Sequence, residues 1–161
     1  MKTKLTFLLA LTFLFLFSGS VFGQEEVKKE YHNKTEWDPK LRERKIVGKT
    51  DVLKEETHFK NGEKDGPYGK WYWNGRKKEE GQYKDGKKEG RWMSWWGDGK
   101  KEEEGQYKDG KKEGRWTMWY GNGTKQLIEH YKDGVENGER IEYSTFGNVK
   151  FRGNFVDGVQ R

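Results

Sequence analysis

A single stretch decides the fold: residues 83–106 are YKDGKKEGRWMSWWGDGKKEEEGQ, and residues 107–130 follow as YKDGKKEGRWTMWYGNGTKQLIEH. The same 24-residue spacing continues on both sides, with no residue inserted or lost. The glycines that keep it form three series: Gly62, Gly86, Gly110, Gly134 and Gly158; Gly66, Gly90, Gly114 and Gly138; and Gly75, Gly99, Gly123 and Gly147. A fixed period of this size predicts a repeat array in which each unit contacts mainly its neighbours.

Each unit contains two turn signals, of which Asp85-Gly86 and Asp98-Gly99 are examples. Asn-Gly and Asp-Gly predict tight hairpins, because both central residues of a type I′ turn need positive φ. The strands left between turns are about six residues long, a normal strand length, and no segment is long enough to propagate a helix. The pattern predicts an all-β protein, a single-layer twisted antiparallel sheet of stacked β-hairpins, over residues 46–161.

The amino terminus has the pattern of a secretory signal peptide over residues 1–23. Lys2 and Lys4 precede the apolar run Leu5–Phe17, and small residues follow it. The run is too short for a spanning helix, although an uncleaved membrane anchor is the alternative. We therefore expect an exported protein that is periplasmic, envelope-associated or secreted. Residues 24–45 lack the period and are expected to form a charged leader or linker.

Charge and composition exclude several functions. The formal net charge is +6, but basic and acidic residues alternate at short range, as in Lys100-Lys101-Glu102-Glu103-Glu104. Such mixing is typical of a solvated sheet surface rather than of a cationic stripe, so no nucleic-acid partner is expected. The chain has no cysteine, which excludes disulfides and thiol chemistry.

Catalytic or metal-binding groups are not expected either. His58 and His130 occupy the same slot three units apart, about 29 Å in a sheet, and cannot share a metal ion. Paired carboxylates such as Glu79-Glu80 point to opposite faces of a strand. The prediction is a protein that is not an enzyme and needs no cofactor.

Alternation along the strands separates two aromatic sets. In the segment 91–96, Trp92 and Trp96 point to one face and Trp95 to the other. The set expected to be structural, together with Gly62, Gly86, Gly110 and Gly134, is the ladder Trp71, Trp95, Trp119 and Tyr143. The set expected to form a binding row is Tyr68, Tyr72, Trp92, Trp96, Trp116 and Tyr120. A single-layer sheet cannot bury both faces, so one row should mark an interaction site, although both sets could simply pack the sheet.

The segments 83–90 and 107–114 resemble the MORN (membrane occupation and recognition nexus) repeat, as do Trp95-Trp96-Gly97-Asp98-Gly99 and Trp119-Tyr120-Gly121-Asn122-Gly123. The resemblance is to the bacterial variant, and it covers residues 59–158 well and residues 46–58 faintly. Arg140, Ser144 and Phe146 depart from it in the last unit. The resemblance implies stacked hairpins that act as scaffolds and binding surfaces. For some members it implies phospholipid contact, and for some bacterial ones an antitoxin role.

Together these observations predict an exported, non-enzymatic scaffold or protein-binding module of the cell envelope or secreted fraction. One alternative is an antitoxin or immunity protein that neutralises a toxin. Another is a binder of an envelope glycan or anionic lipid. The last strand is predicted to be an unpaired edge, which leaves the oligomeric state open.

Overall fold

The computed structural model describes residues 24–38 and 43–161, which contain twelve β-strands and no helix. The strands are β1 Glu25–Asp38, β2 Glu43–Lys60, β3 Glu63–Trp71, β4 Lys77–Lys84, β5 Lys87–Trp95, β6 Lys101–Lys108, β7 Lys111–Trp119, β8 Lys125–Lys132, β9 Val135–Glu136, β10 Gly138–Tyr143, β11 Val149–Val156 and β12 Val159–Gln160. The signal peptide predicted for residues 1–23 lies outside these ranges. The described part of the chain offers no helix with the length and apolarity needed to cross a bilayer.

All strands belong to one antiparallel sheet in which the spatial order follows the chain order. The sequence β1-β2-β3-β4-β5-β6-β7-β8-β10-β11-β12 runs from one edge to the other, and β9 also pairs with β8. β9 and β10 together occupy the position of one strand in the earlier units. The predicted sheet of stacked hairpins is therefore confirmed.

The shorter turns have the predicted type I′ geometry. In Asp85-Gly86 the φ angles are 47° and 75°, and the equivalent Asx-Gly pairs of the other units are also positive at both residues. The turns are tied to each other, because the Gly86 amide donates to the Lys64 carbonyl at 2.8 Å. The Asp109 amide donates to the Glu89 carboxylate at 2.9 Å. Glu113 accepts from the Asp133 amide in the same way at 2.9 Å, so the acidic residue after each of these turns joins one unit to the next.

The longer turns differ from the type I′ prediction, which is wrong for Asn74-Gly75 and its equivalents. Only the glycine has positive φ, 79° at Gly75. The Gly75 amide donates to the Tyr72 carbonyl at 3.0 Å, while the Arg76 amide donates to Asn74 Oδ1 at 3.1 Å. This is a three-residue loop closed by a left-handed glycine. The Asx side chain is needed for its hydrogen bond and not for a positive φ.

The region expected to be a charged leader is also different. Residues 25–38 form β1, which pairs antiparallel with β2 from Glu25↔Lys60 to Asp38↔Glu43. Shifts of register interrupt this pairing, for example between Lys34 and Thr35. A periodic pattern is not required there, because backbone groups of β2 can pair with any extended segment.

Candidate functional site

One face of the sheet carries a row in which large and small residues alternate from strand to strand. Trp92 lies between Gly81 and Gly105, and Trp116 lies beyond Gly105. A Cβ atom built on Gly81 would stand 2.2 Å from Trp92 Cε2, and one on Gly105 would stand 2.1 Å from Trp116 Cδ2. Each indole therefore lies flat on the backbone of a glycine, which no larger residue would allow.

This row is the core of the protein. Trp92 and Trp116 are 3% and 2% exposed. Tyr68 stacks on Trp92 at 5.4 Å between ring centroids, and Tyr107 contacts Trp92 and Trp116 edge-on at 5.8 and 5.0 Å. Such offset and edge-on contacts are the preferred arrangements of aromatic rings. Three of the six residues expected to bind a partner, Tyr68, Trp92 and Trp116, are thus removed from the surface by their own packing.

Lysines close the core above the indoles. Lys88 Nζ lies 3.8 Å from the centroid of Trp92 and forms a 3.2 Å salt bridge with Glu79. Lys112 repeats this at 4.0 Å from Trp116 and 3.0 Å from Glu103. The aliphatic stems cover apolar rings while the ammonium groups remain near water. The aliphatic content of the chain is low because aromatic rings and lysine stems supply the core.

The other three residues of the predicted row join neighbouring units at the longer turns. The Tyr72 hydroxyl donates to the Trp95 carbonyl at 2.8 Å, Trp96 Nε1 to the Trp119 carbonyl at 3.3 Å, and the Tyr120 hydroxyl to the Tyr143 carbonyl at 2.8 Å. All three side chains are partly buried. In the last unit Ser144 replaces them, and its Oγ accepts from the Asn148 amide of its own turn at 3.2 Å.

The opposite face carries the ladder expected to be structural, and we call it the groove face. It is formed by Trp71, Trp95, Trp119, Tyr143 and their neighbours, and none of these four side chains is fully buried. Two open grooves lie along it. One, of about 570 Å³, is lined by Trp71, Met93 and Lys77, and another, of about 500 Å³, by Trp119, Arg115 and Lys125. The buried aromatic side chains Tyr68, Trp92 and Trp116 therefore lie on the face predicted to bind, while the ladder predicted to be structural stays partly exposed.

The alternation of side chains along the strands assigns each aromatic residue to one of two faces, but it does not indicate which of the two faces becomes the buried core. The missed signal is the small-residue slot 11 positions before each core aromatic, filled by Thr57, Gly81 and Gly105. A large aromatic side chain at the core position thus goes with a small residue 11 positions earlier in the sequence. On the groove face, the side chains next to the ladder include Glu56, Glu80 and Glu104. These side chains cannot cover the aromatic rings without burying their charge.

Acidic side chains on the groove face are held by basic ones. Glu104 accepts from Lys101 Nζ at 2.6 Å and from Arg91 Nε at 2.9 Å. The hydrogen bond from Lys101 is the main reason that the pKa of the Glu104 carboxyl is lowered, with Arg91 adding to it. Glu80 pairs in the same way with Lys77.

The last unit replaces the core indole by Arg140 and the facing glycine by Glu129. Arg140 Nη1 lies 3.4 Å from Glu129 and 3.5 Å from Glu136, and Nη2 lies 2.7 Å from Glu142. Glu129 also accepts from the Tyr131 hydroxyl at 2.8 Å. Burial raises the pKa of the Glu136 carboxyl. An ionic cluster therefore takes the place of the aromatic core at this end of the sheet.

The histidines lie apart from one another. His32 Nε2 contacts the Trp71 carbonyl at 3.0 Å, His58 Nε2 contacts Glu56 at 3.3 Å, and His130 Nδ1 contacts the Glu139 carbonyl at 2.8 Å. Within residues 24–38 and 43–161, no three His, Asp or Glu side chains are grouped so that they could hold a metal ion.

Comparison with known proteins shows which repeat family two of the units match. The family model of the MORN repeat variant matches residues 88–109 and 112–133, which are two adjacent units of the array. No curated protein matches the chain. Repeats of this family are generally non-catalytic modules. The matched segments run from the strand after one type I′ turn to the next such turn, and the same period continues across the sheet. The array therefore contains two adjacent units that are similar to the MORN repeat variant.

Proposed function

We propose that this protein is an exported, non-enzymatic binding module whose groove face holds a protein partner. The observation that carries the proposal is the half-open ladder of Trp71, Trp95, Trp119 and Tyr143. Tryptophan and tyrosine are the residues most enriched at the energetic centres of protein interfaces. A periodic row of them along open grooves suits an extended partner better than a small molecule, which prefers an enclosed cavity.

The shape of the sheet supports the same conclusion. Within the described residues neither face is covered by a second layer, but on the core face the row of aromatic rings and lysine stems buries Trp92 and Trp116, while the ladder of the groove face stays partly exposed. Apolar side chains that remain accessible in a regular row mark an interaction surface. A partner that covered the groove face would supply the missing layer. A toxin neutralised by an immunity protein would be one such partner.

The test is affinity capture from an envelope extract on the immobilised protein. The binding variant is Trp95→Ala/Trp119→Ala, and the control is Trp73→Ala, which removes a tryptophan that is 76% exposed on a turn. We expect proteins retained by the wild type to be retained by the control and lost from the binding variant. If the binding variant keeps its circular dichroism spectrum and retains the same proteins, the groove face is not the binding surface.

Export is tested separately, by the location and the N-terminal sequence of the protein in fractionated cells. A mature chain that begins near Gln24 outside the cytoplasm is the expected result. A protein found in the cytoplasm with residues 1–23 still attached would contradict it.

A further inference from the structure

We propose that Arg115 and Lys125, beside Trp119, form a binding site for the carboxylate of an aspartate or glutamate side chain in an extended segment of a protein partner. This inference rests on the proposed function and names the chemistry that the groove face recognises. The evidence comes from comparing two consecutive units of the same array.

The earlier unit shows how such a site is filled. Arg91 on β5 and Lys101 on β6 both reach the Glu104 carboxylate, at 2.9 Å from Nε and 2.6 Å from Nζ. One carboxylate satisfies two cations, and its pKa is lowered as a result. The chain therefore contains its own example of the ligand between these two basic side chains.

The next unit keeps the cations and lacks the carboxylate. Arg115 and Lys125 stand 24 residues after Arg91 and Lys101, on strands paired in the same register. The position of Glu104 is taken by Ile128, which is 5% exposed and pairs with Ile141. In the described part of the chain, neither Arg115 nor Lys125 has an acidic partner, and both are exposed. A carboxylate delivered from outside would complete the arrangement.

The surroundings fit a peptide segment. Arg115, Trp119 and Lys125 line the groove of about 500 Å³ together with Gln106, Thr117 and the Arg91–Glu104 pair of the preceding unit. The indole offers a flat apolar surface, and the amide and hydroxyl groups can bond to an extended backbone. Two cations that line one groove beside an aromatic ring provide both charge and shape complementarity for an acidic residue with an apolar neighbour.

A membrane surface is the weaker fit. Binding to anionic lipid needs several uncompensated cations in a plane. The other cations along the ladder already contact acidic side chains, Lys77 that of Glu80 and both Lys101 and Arg91 that of Glu104. One uncompensated pair suits a single acidic side chain.

The experiment measures binding of a fluorescein-labelled peptide of alternating Glu and Ser, and of its Gln–Ser counterpart, to the full protein by fluorescence anisotropy. Vesicles containing phosphatidylglycerol form a separate arm. We expect the Glu peptide to bind at least about tenfold more tightly than the Gln peptide. The Arg115→Gln/Lys125→Gln variant should lose this preference.

The matched control is Lys84→Gln/Lys108→Gln, which removes the same charge from exposed lysines at the turn end of the sheet. We expect it to bind the Glu peptide within about twofold of the wild type, because only non-specific charge is lost. Equal weakening by both variants would show a net-charge effect and overturn the proposal. Binding to vesicles but not to the Glu peptide would also overturn it.

A second variant tests the geometry in the opposite direction. Glu104→Gln leaves Arg91 and Lys101, beside the same groove, without their carboxylate, so the Glu peptide should bind more tightly than it binds the wild type. An affinity for the Glu peptide that does not rise would mean that the pair of cations is not what recognises the peptide.

The capture experiment separates this proposal from the proposed function. If Trp95→Ala/Trp119→Ala loses the captured protein while Arg115→Gln/Lys125→Gln retains it fully, the groove face binds a partner but the carboxylate site is wrong. If the tryptophan variant retains everything, the proposed function itself fails.

Discussion

The unit around Trp116 and the last unit use the same backbone framework for two different kinds of packing. In the former, an indole lies on Gly105 and is covered by Tyr107 and Lys112. In the latter, Arg140 and Glu129 occupy the equivalent slots and form an ion pair at 3.4 Å. The turns and the strand pairing are the same in both, so the backbone array does not depend on which chemistry fills the row.

The comparison shows that the core position and the position 11 residues before it share one space, so that the sizes of their two side chains depend on each other. Thr57 faces Tyr68, glycine faces tryptophan twice, and Glu129 faces Arg140. A residue in one slot determines what the other can hold, because the side chain of the second lies over the backbone of the first. The turn of one repeat could therefore replace that of another, whereas a single core residue could be replaced only together with the residue that it faces.

Replacing the large core residue by alanine should give the largest difference in stability between the aromatic unit and the ionic unit. Trp116→Ala should lower the free energy of unfolding by about 3–5 kcal/mol, since it empties a fully buried aromatic site. Arg140→Ala should cost less, about 1–3 kcal/mol, because its side chain is 29% exposed and Glu129 keeps the Tyr131 hydroxyl as a partner. Urea unfolding at neutral pH measures both. A larger loss for Arg140→Ala would mean that the ionic cluster stabilises the sheet more than the aromatic core.

Adding a methyl group to the small slot should have the next largest effect. Gly105→Ala places a Cβ 2.1 Å from the Trp116 ring. Overpacking of this kind typically costs about 1–3 kcal/mol. Gly121→Ala is the control, since nothing lies within 4 Å of its added Cβ, and it should change stability by less than about 0.5 kcal/mol. Similar unfolding midpoints for the two variants would contradict the packing of the indole on the glycine.

The type I′ turns should respond alike in both regions. Gly110→Val and Gly134→Val, whose added Cβ atoms would lie 3.6 and 3.4 Å from equivalent lysine side chains, each force a β-branched residue into positive φ, 81° and 87° respectively. A non-glycine residue in the left-handed region costs about 1–2 kcal/mol. Thermal unfolding should show equal losses for the two variants. Clearly unequal losses would mean that the turn is coupled to the chemistry of the adjacent core row.

The smallest effect should appear in the pH dependence of stability. The pKa of Glu104 is lowered, so its ionised form stabilises the fold above the ordinary value near 4.5, and this contribution disappears as the pH falls through the folded-state pKa. The pKa of Glu136 is raised by burial, so its ionisation weakens the fold as the pH rises above about 4.5. The two carboxylates therefore act with opposite sign.

The measurement compares Glu104→Gln with Glu136→Gln at pH values from 3 to 7. At pH 7, Glu104→Gln should destabilise and Glu136→Gln should stabilise, each by less than about 1 kcal/mol. Both differences should shrink toward pH 3. Effects of the same sign at pH 7 would show that burial of Glu136 is fully offset by Arg140.

Local patterns predict most of the architecture. Asp85-Gly86 and its equivalents select type I′ turns because their residues tolerate positive φ, and the 24-residue period follows from one pair of hairpin turns per unit. The alternation that separates Trp92 from Trp95 follows from strand geometry alone. The pairing of β1 with β2 was not predictable in this way, since backbone hydrogen bonds require no particular side chains.

Order along the chain, turn type and the division of side chains between two faces are thus consequences of short-range backbone geometry. The choice of which face becomes the core depends on side chains that meet across strands. Trp92 is buried because Gly81 lies under its ring and Tyr68, Tyr107 and Lys88 close around it, whereas Trp95 has acidic neighbours that stay near water. Only packing in three dimensions brings these groups together, because the energy of burial depends on the neighbours of a ring rather than on its position in a repeat.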